Sequence, residues 1–239
     1  QIVAAVVDAN ASLQDAKLAV GVGKEDKVAF NRRMRMKNGL TFTHPGVGNP
    51  DIIDYAGPID PDVGTIGVWD LKDNLLGMVV NFACHATTNP DGISANWIGA
   101  MERTLRGVTG NAALPVVFMQ GACGDITQVD NMAKHANPSA EEWWELVGGR
   151  VGAEAYKTML LAKRGAGSDI PLDSRQKVWT VNRRIPTKEK VKKSLELVKQ
   201  GPEKAGSVEW TFAKEILLLD AMIKKRPKAE VEVQAIQVG

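Results

Sequence analysis

Three short segments place chemically able side chains at the ends of apolar runs. In NFACHATTNP, His85 directly follows a strand-like stretch, and Thr87, Thr88 and Asn89 come next. A histidine at a strand exit is held rigidly while its ring reaches a cleft, which suits a metal ligand or a general base. A hydrogen-bonded surface histidine is the plainer alternative. In VVFMQGACGDITQVDN, Gly121 and Gly124 permit backbone geometry closed to other residues and let N–H groups approach an anion or oxyanion. Asp125 and Thr127 lie two apart and share one side of an extended chain. The Thr127 hydroxyl could serve as nucleophile or hydrogen-bond donor, against the reading of an ordinary strand-to-loop turn. The Gly-x-Ser-x-Gly nucleophile elbow is missing. In FNRRMRMKNG, Arg32 and Arg33 beside Asn31 suit a bidentate clamp on carboxylate or phosphate, or plain surface charge.

Other residues have weaker claims. His44 sits in THPG and reads as a turn residue, and His135 lies in a polar loop with a minor claim as a ligand. Cys84 and Cys123 form no Cys-x-x-Cys pair, so a structural zinc knuckle is not expected. Both read as buried thiols near one cleft or as a disulfide, with a cysteine nucleophile paired with His85 as a further option. Six of the few aromatic residues are Trp. Trp97 and the Trp143–Trp144 pair follow the two segments bearing His85 and Asp125. They either wall a cleft floored by those residues or pack in the core, as does Trp69.

These residues need elements to position them. The stretch Gln1 to Val20 reads as a helix entered midway and then a short strand, with no signal-peptide pattern. From Gly21 to Asp62 the chain is rich in Gly, Pro, Asn and Asp and reads as a long functional loop. TIGVWD (65–70) and LLGMVVNFAC (75–84) flank a KDN turn and predict a hairpin. A helix is expected over 95–106, with Ser94 as N-cap. LPVVFM (114–119) predicts a buried strand. A long helix is expected over 139–163, capped by Ser139, with Glu141 and Glu142 favouring its dipole. Beyond it come a strand near 178–185 and a charged helical hairpin, 188–199 and 208–225. A terminal strand should bury Val231, Val233, Ala235 and Val238. KEKVKKSLELVK reads as a solvated helix face. Strands alternating with helices predict an α/β fold with mixed sheets layered with helices. Both ends break off within elements, so the expectation is a fragment, or one part of a longer or processed protein, with cytoplasmic and exported locations both open.

With 239 residues, 44% hydrophobic and 24% charged, the chain is not disordered. A net charge of +2 excludes a strong global electrostatic case for nucleic acid. No stretch approaches the roughly 18 apolar residues of a membrane span.

Taken in order, FNRRMRMKNG, NPDIIDYAGPIDPDVG, NFACHATT, ISANWIGAMERTL and FMQGACGDIT resemble the catalytic region of the neutral/alkaline non-lysosomal ceramidase superfamily. The resemblance is to its bacterial branch. It is best over 1–165 and looser over 166–239, all read as one hydrolase domain. It implies a zinc-dependent enzyme that cleaves an amide C–N bond of a small or lipid-like substrate through a metal-activated water. It further implies that His85 is one ligand of a single Zn2+, the others lying outside this chain, and that the Asp125–Thr127 turn lies over the metal. Asn31, Arg32, Arg33, Gly121 and Trp97 are then the expected substrate-binding residues, and Asp125 and Thr127 the catalytic ones. The family's His-Pro-Thr-Ser-Met is His-Ala-Thr-Thr-Asn here, its turn serine is Thr127, and the usual Asp of Ser-Ala-Asp is Asn96. These departures argue against ceramide itself as substrate. The competing readings are a non-catalytic or split-enzyme subunit that binds a ligand, a partner chain or a second copy, and a metal-independent hydrolase using Thr127 or Cys123.

Overall fold

The computed structural model describes residues 1–88, 92–134 and 137–239, so Asn89 and His135 lie outside the described residues. The chain divides into two compact units, Gln1–Ile170 and Pro171–Gly239. The elements of the first unit are α1 (Ile2–Ala11), β1 (Ala16–Lys24), β2 (Phe30–Asn31), β3 (Arg33–Met36), β4 (Thr41–Thr43), β5 (Ile52–Tyr55), β6 (Asp62–Asp70), β7 (Leu75–Phe82), α2 (Asn96–Thr109), β8 (Val116–Gln120), β9 (Ile126–Thr127) and α3 (Ala140–Ala162). The fold is mixed α/β, built from several sheets.

The main sheet has the order β1-β6-β7-β8. Its first two pairings are antiparallel and the last, β7 with β8, is parallel. A parallel pair needs a crossover, and α2 supplies it. Strand β6 alternates cleanly, with Val63, Thr65, Gly67 and Trp69 buried. The sheet core (Val63, Trp69, Met78, Val80, Phe82) packs with one face of α2 (Trp97, Met101, Leu105) and one of α3 (Val147, Val151, Ala155, Met159). Those positions recur at helical spacing, so each helix presents one apolar stripe. The β6–β7 hairpin forms where the KDN turn predicts it, and Asp70 Oδ1 accepts from the N–H groups of Lys72 and Asn74 at 2.8 Å each. At the start of α3, Ser139 and Glu142 form the reciprocal capping box.

The segment expected as a long loop, 21–62, instead carries four further strands after β1. Strand β3 is central to a three-stranded sheet ordered β4-β3-β5. It alternates Arg33 and Arg35 outward with Met34 and Met36 buried, a period-2 pattern in residues of low strand propensity. Strand β2 pairs with β9, Phe30 opposite Thr127 and Asn31 opposite Ile126. Ser94 is not the N-cap of α2: Ala95 holds that position, and the Ser94 hydroxyl accepts from the Asn96 N–H at 3.1 Å.

The second unit is an antiparallel ribbon of β10 (Leu172–Asn182) and β11 (Lys228–Val238), with α4 (Lys188–Gln200), α5 (Pro202–Ala205) and α6 (Ser207–Lys225) between them. The terminal strand forms as expected, but Val231, Val233 and Ala235 are exposed and Val238 is half-buried rather than buried.

Candidate active site

Strands β7 and β8 run parallel and end together, Phe82 opposite Gln120. In open α/β sheets the carboxyl ends of parallel strands are where ligands bind. The chain leaves β7 through Ala83, Cys84 and His85, and leaves β8 through Gly121 to Asp125. The Gln120 side chain ties the two exits by donating Nε2 to the carbonyls of Cys84 (3.1 Å) and Phe82 (3.3 Å).

His85 is half-buried, and its carbonyl accepts from the Trp97 indole Nε1–H at 3.0 Å. Its ring Nδ1 is buried with no hydrogen-bond partner among the described residues. Leaving a polar atom in that state costs about 1–3 kcal/mol. It therefore calls for a partner from outside the described atoms. An imidazole nitrogen without a proton is a good zinc donor, so His85 fits the metal that the resemblance implies. No group of three or more His, Cys, Asp or Glu among the described residues could hold a metal by itself.

The turn after β8 is pinned to the arginine segment. Asp125 Oδ2 accepts from Asn31 Nδ2 at 2.9 Å, and the Asp125 carbonyl accepts from the Arg32 N–H at 2.7 Å. Arg32 Nη2 donates to the Gly124 carbonyl at 2.7 Å. Thr127 is buried in β9, where its Oγ1 accepts from the Val129 N–H at 3.4 Å. Thr87 donates to Gln128 Oε1 at 3.3 Å, joining the His85 segment to this turn. Arg32 and the His85 segment are thus both tied to the turn that follows β8. Arg33 is exposed on β3.

Three of the expected substrate-binding residues have other tasks. Asn31 is 1% exposed and acts as a strut, donating to Asp125 and to the Pro58 carbonyl and accepting from the Arg33 N–H. Gly121 spends its N–H on the Phe82 carbonyl at 3.0 Å, so that donor is not open to an oxyanion. Its missing Cβ serves strand packing instead: a Cβ there would lie 3.0 Å from the Ala83 backbone. Trp97 walls no cleft. It is fully buried, edge-on to Phe82 and Phe118 with centroids 6.1 and 5.0 Å away, and positions His85 from below through its indole N–H. Trp69 and Trp143 are buried as well, and Trp144 lies beneath the Arg103 guanidinium.

Two residues show roles that the sequence did not suggest. Asn96 adopts φ 55° at the head of α2, a conformation Asn tolerates. Its Oδ1 accepts from the Thr88 hydroxyl and from the Trp97 N–H, both at 2.9 Å. The Asn96 amide oxygen thus links α2 to the His85 segment. His44 returns from β4 to the site, its N–H donating to the Arg32 carbonyl at 3.0 Å. Its only sequence signal was the turn-like THPG.

Both cysteines are free thiols. Burial, and then the nearby Cys123, push the Cys84 thiol up to about 12. That removes Cys84 as a nucleophile near neutral pH. At pH 8 its thiolate fraction is roughly a thousandfold below that of an ordinary thiol. Brief iodoacetamide treatment of native protein should therefore give a single adduct, on the partly exposed Cys123. A second adduct at Cys84 of comparable rate would contradict the buried, protonated thiol.

No protein-family model matches the sequence, and no curated protein matches it. Among solved structures, neutral ceramidase from Pseudomonas aeruginosa superposes with a TM-score of 0.57 and 24% identity, over 80% of this chain and 30% of that chain. The fold is ceramidase-like. A ceramidase complexed with C2 aligns similarly, with a TM-score of 0.55 and 23% identity over 77% of this chain and 28% of that one. The chain thus spans under a third of the length of the ceramidases it matches. Within this ceramidase-like fold, no helix of the described residues is long and apolar enough to cross a membrane.

Proposed function

We propose that the chain is part of a zinc-dependent hydrolase that cleaves an amide C–N bond of a small or lipid-like substrate. The observation that carries this reading is the buried Nδ1 of His85, without a partner among the described residues, at the carboxyl end of a parallel strand pair. The ceramidase-like fold supports it. His85 would be one ligand of the ion, with the rest supplied from outside this chain. Zinc held there would bring the pKa of a bound water to around 7 and polarise the amide carbonyl. The residues present do the positioning. Trp97 and Gln120 fix the backbone of the His85 segment. Asn31 and Arg32 fix the Gly124–Asp125 turn against it. Thr127, beneath the turn, holds its shape through Val129.

Elemental analysis of the full-length protein tests the reading. One equivalent of zinc is expected, together with loss of hydrolysis of N-acyl substrates on treatment with dipicolinate and recovery on adding zinc. Hydrolysis that survives complete zinc removal would overturn it and favour Thr127 or Cys123 as nucleophile.

A further inference from the structure

Arg32, His44 and Asn131 form a cluster near the turn that follows β8, and the hydrolase reading uses of its side chains only the one Arg32 donor that pins Gly124. Arg32 is fixed at three points: its N–H on Asp125, its carbonyl under the His44 N–H, and Nη2 on the Gly124 carbonyl. That last bond uses one of its five side-chain N–H donors. Among the described residues no carboxylate lies within salt-bridge reach of Arg32, whereas Arg35, Arg103 and Arg150 each have one. A guanidinium held this firmly and left without a counter-charge is set to receive an anion.

His44 adds a directed donor. Its φ of 50° is a left-handed conformation that a non-glycine residue keeps only when its surroundings hold it there. The surroundings are the Arg32 carbonyl and Asn131, which is 1% exposed. The Asn131 Nδ2 faces His44 Nδ1 at 3.5 Å. We assign the ring proton to Nε2, with Nδ1 accepting from the Asn131 amide, the pairing that this placement of Nδ2 allows. Partial burial, and then the Arg32 charge, hold the His44 pKa below its usual value. At neutral pH the ring is therefore a neutral donor, and Arg32 supplies the one full charge.

We propose that Arg32 and His44 form a carboxylate-binding subsite near the turn that follows β8, so that the substrate is an acylated amino acid rather than a neutral amide. One planar guanidinium and one N–H match the two oxygens and single charge of a carboxylate, whereas a phosphate dianion would call for a second cation. Arg32 is bonded to Gly124 and Thr87 to Gln128, so the arginine and the His85 segment are tied to the same turn, and the carboxylate would belong to the molecule that carries the scissile carbonyl. The substrate class rests on the hydrolase reading above, but the anion subsite is measurable without turnover.

The test is calorimetric binding of N-dodecanoylglycine and of its neutral primary amide, N-dodecanoylglycinamide, to the full-length, zinc-loaded protein. The acid should bind about 10- to 100-fold more tightly, as expected for charge-assisted hydrogen bonds. His44→Asn, which suits the positive φ, should cut the acid-over-amide ratio several-fold, and Arg32→Gln should bring it near one. Equal binding of acid and amide by the wild-type protein, or a ratio untouched in His44→Asn, overturns the subsite. Stronger displacement of the acid by inorganic phosphate than by acetate overturns the carboxylate assignment. Hydrolysis is scored separately. Preferential binding of the acid without cleavage of either compound leaves the subsite standing and removes the hydrolase reading. Cleavage of both with equal binding does the reverse.

Discussion

Replacing His85 with alanine should abolish zinc uptake and lower amide hydrolysis by more than about a hundredfold, since loss of the outer-shell partner of a ligand alone costs 10- to 100-fold. The stability of the same variant should move the other way. Among the described residues the buried Nδ1 has no partner in the metal-free protein, and its removal relieves a penalty of about 1–3 kcal/mol. Metal-free His85→Ala should therefore be at least as stable as the metal-free wild type. Zinc at a hundred times its Kd should add about 2.7 kcal/mol to the wild type and nothing to the variant. Thermal unfolding with and without zinc separates the two terms. A metal-free variant several degrees less stable than the metal-free wild type would mean that His85 is a structural histidine. A variant that still gains stability with zinc would move the ligand elsewhere.

What was legible in the sequence was local. The KDN turn between two apolar runs specified the β6–β7 hairpin, and Ser139 with Glu142 three residues on specified the start of α3, because each signal lies within a few residues of what it controls. The strand exits at His85 and Gly121 were legible for the same reason. Pairings between distant segments were not. Phe30 and Asn31 read as loop because their partners, Thr127 and Ile126, lie almost a hundred residues away. His44 reads as a turn residue until β3 and β4 pair and carry it back to Arg32. Trp97 shows the limit of composition. An indole at a strand–helix junction suits a cleft wall or a core equally, and only the packing of Phe82 and Phe118 around it decides. Its N–H then gives it a positioning role that neither reading contained.

That role makes the α2–α3 contact the place where stability and the site meet. Gly148 on α3 faces the first turn of α2. A Cβ there would overlap the Trp97 carbonyl oxygen and lie 2.5 Å from Ala100 Cβ and 2.6 Å from the Met101 N. Two of these neighbours are backbone, which cannot move aside without displacing the helix. Overpacking of this kind costs about 1–3 kcal/mol or more, against about 1 kcal/mol gained from replacing glycine by alanine within a helix. Gly148→Ala should thus lose up to about 2 kcal/mol net, lowering Tm by about 2–4 °C for each kcal/mol lost in a unit of this size. The next residue provides the contrast. Gly149 has nothing within 4 Å of its Cβ position, so Gly149→Ala should be neutral or stabilising by up to about 1 kcal/mol. The two variants have the same composition and differ only in the face of α3 they alter. Because α2 carries Asn96 and Trp97, which hold the Thr88 hydroxyl and the His85 carbonyl, displacing its first turn should also weaken zinc binding in Gly148→Ala and not in Gly149→Ala. Thermal unfolding and a zinc titration of both variants test the link. Equal stability in the pair would disprove the close helix crossing, and lowered stability with unchanged zinc affinity would disconnect Trp97 from the metal position.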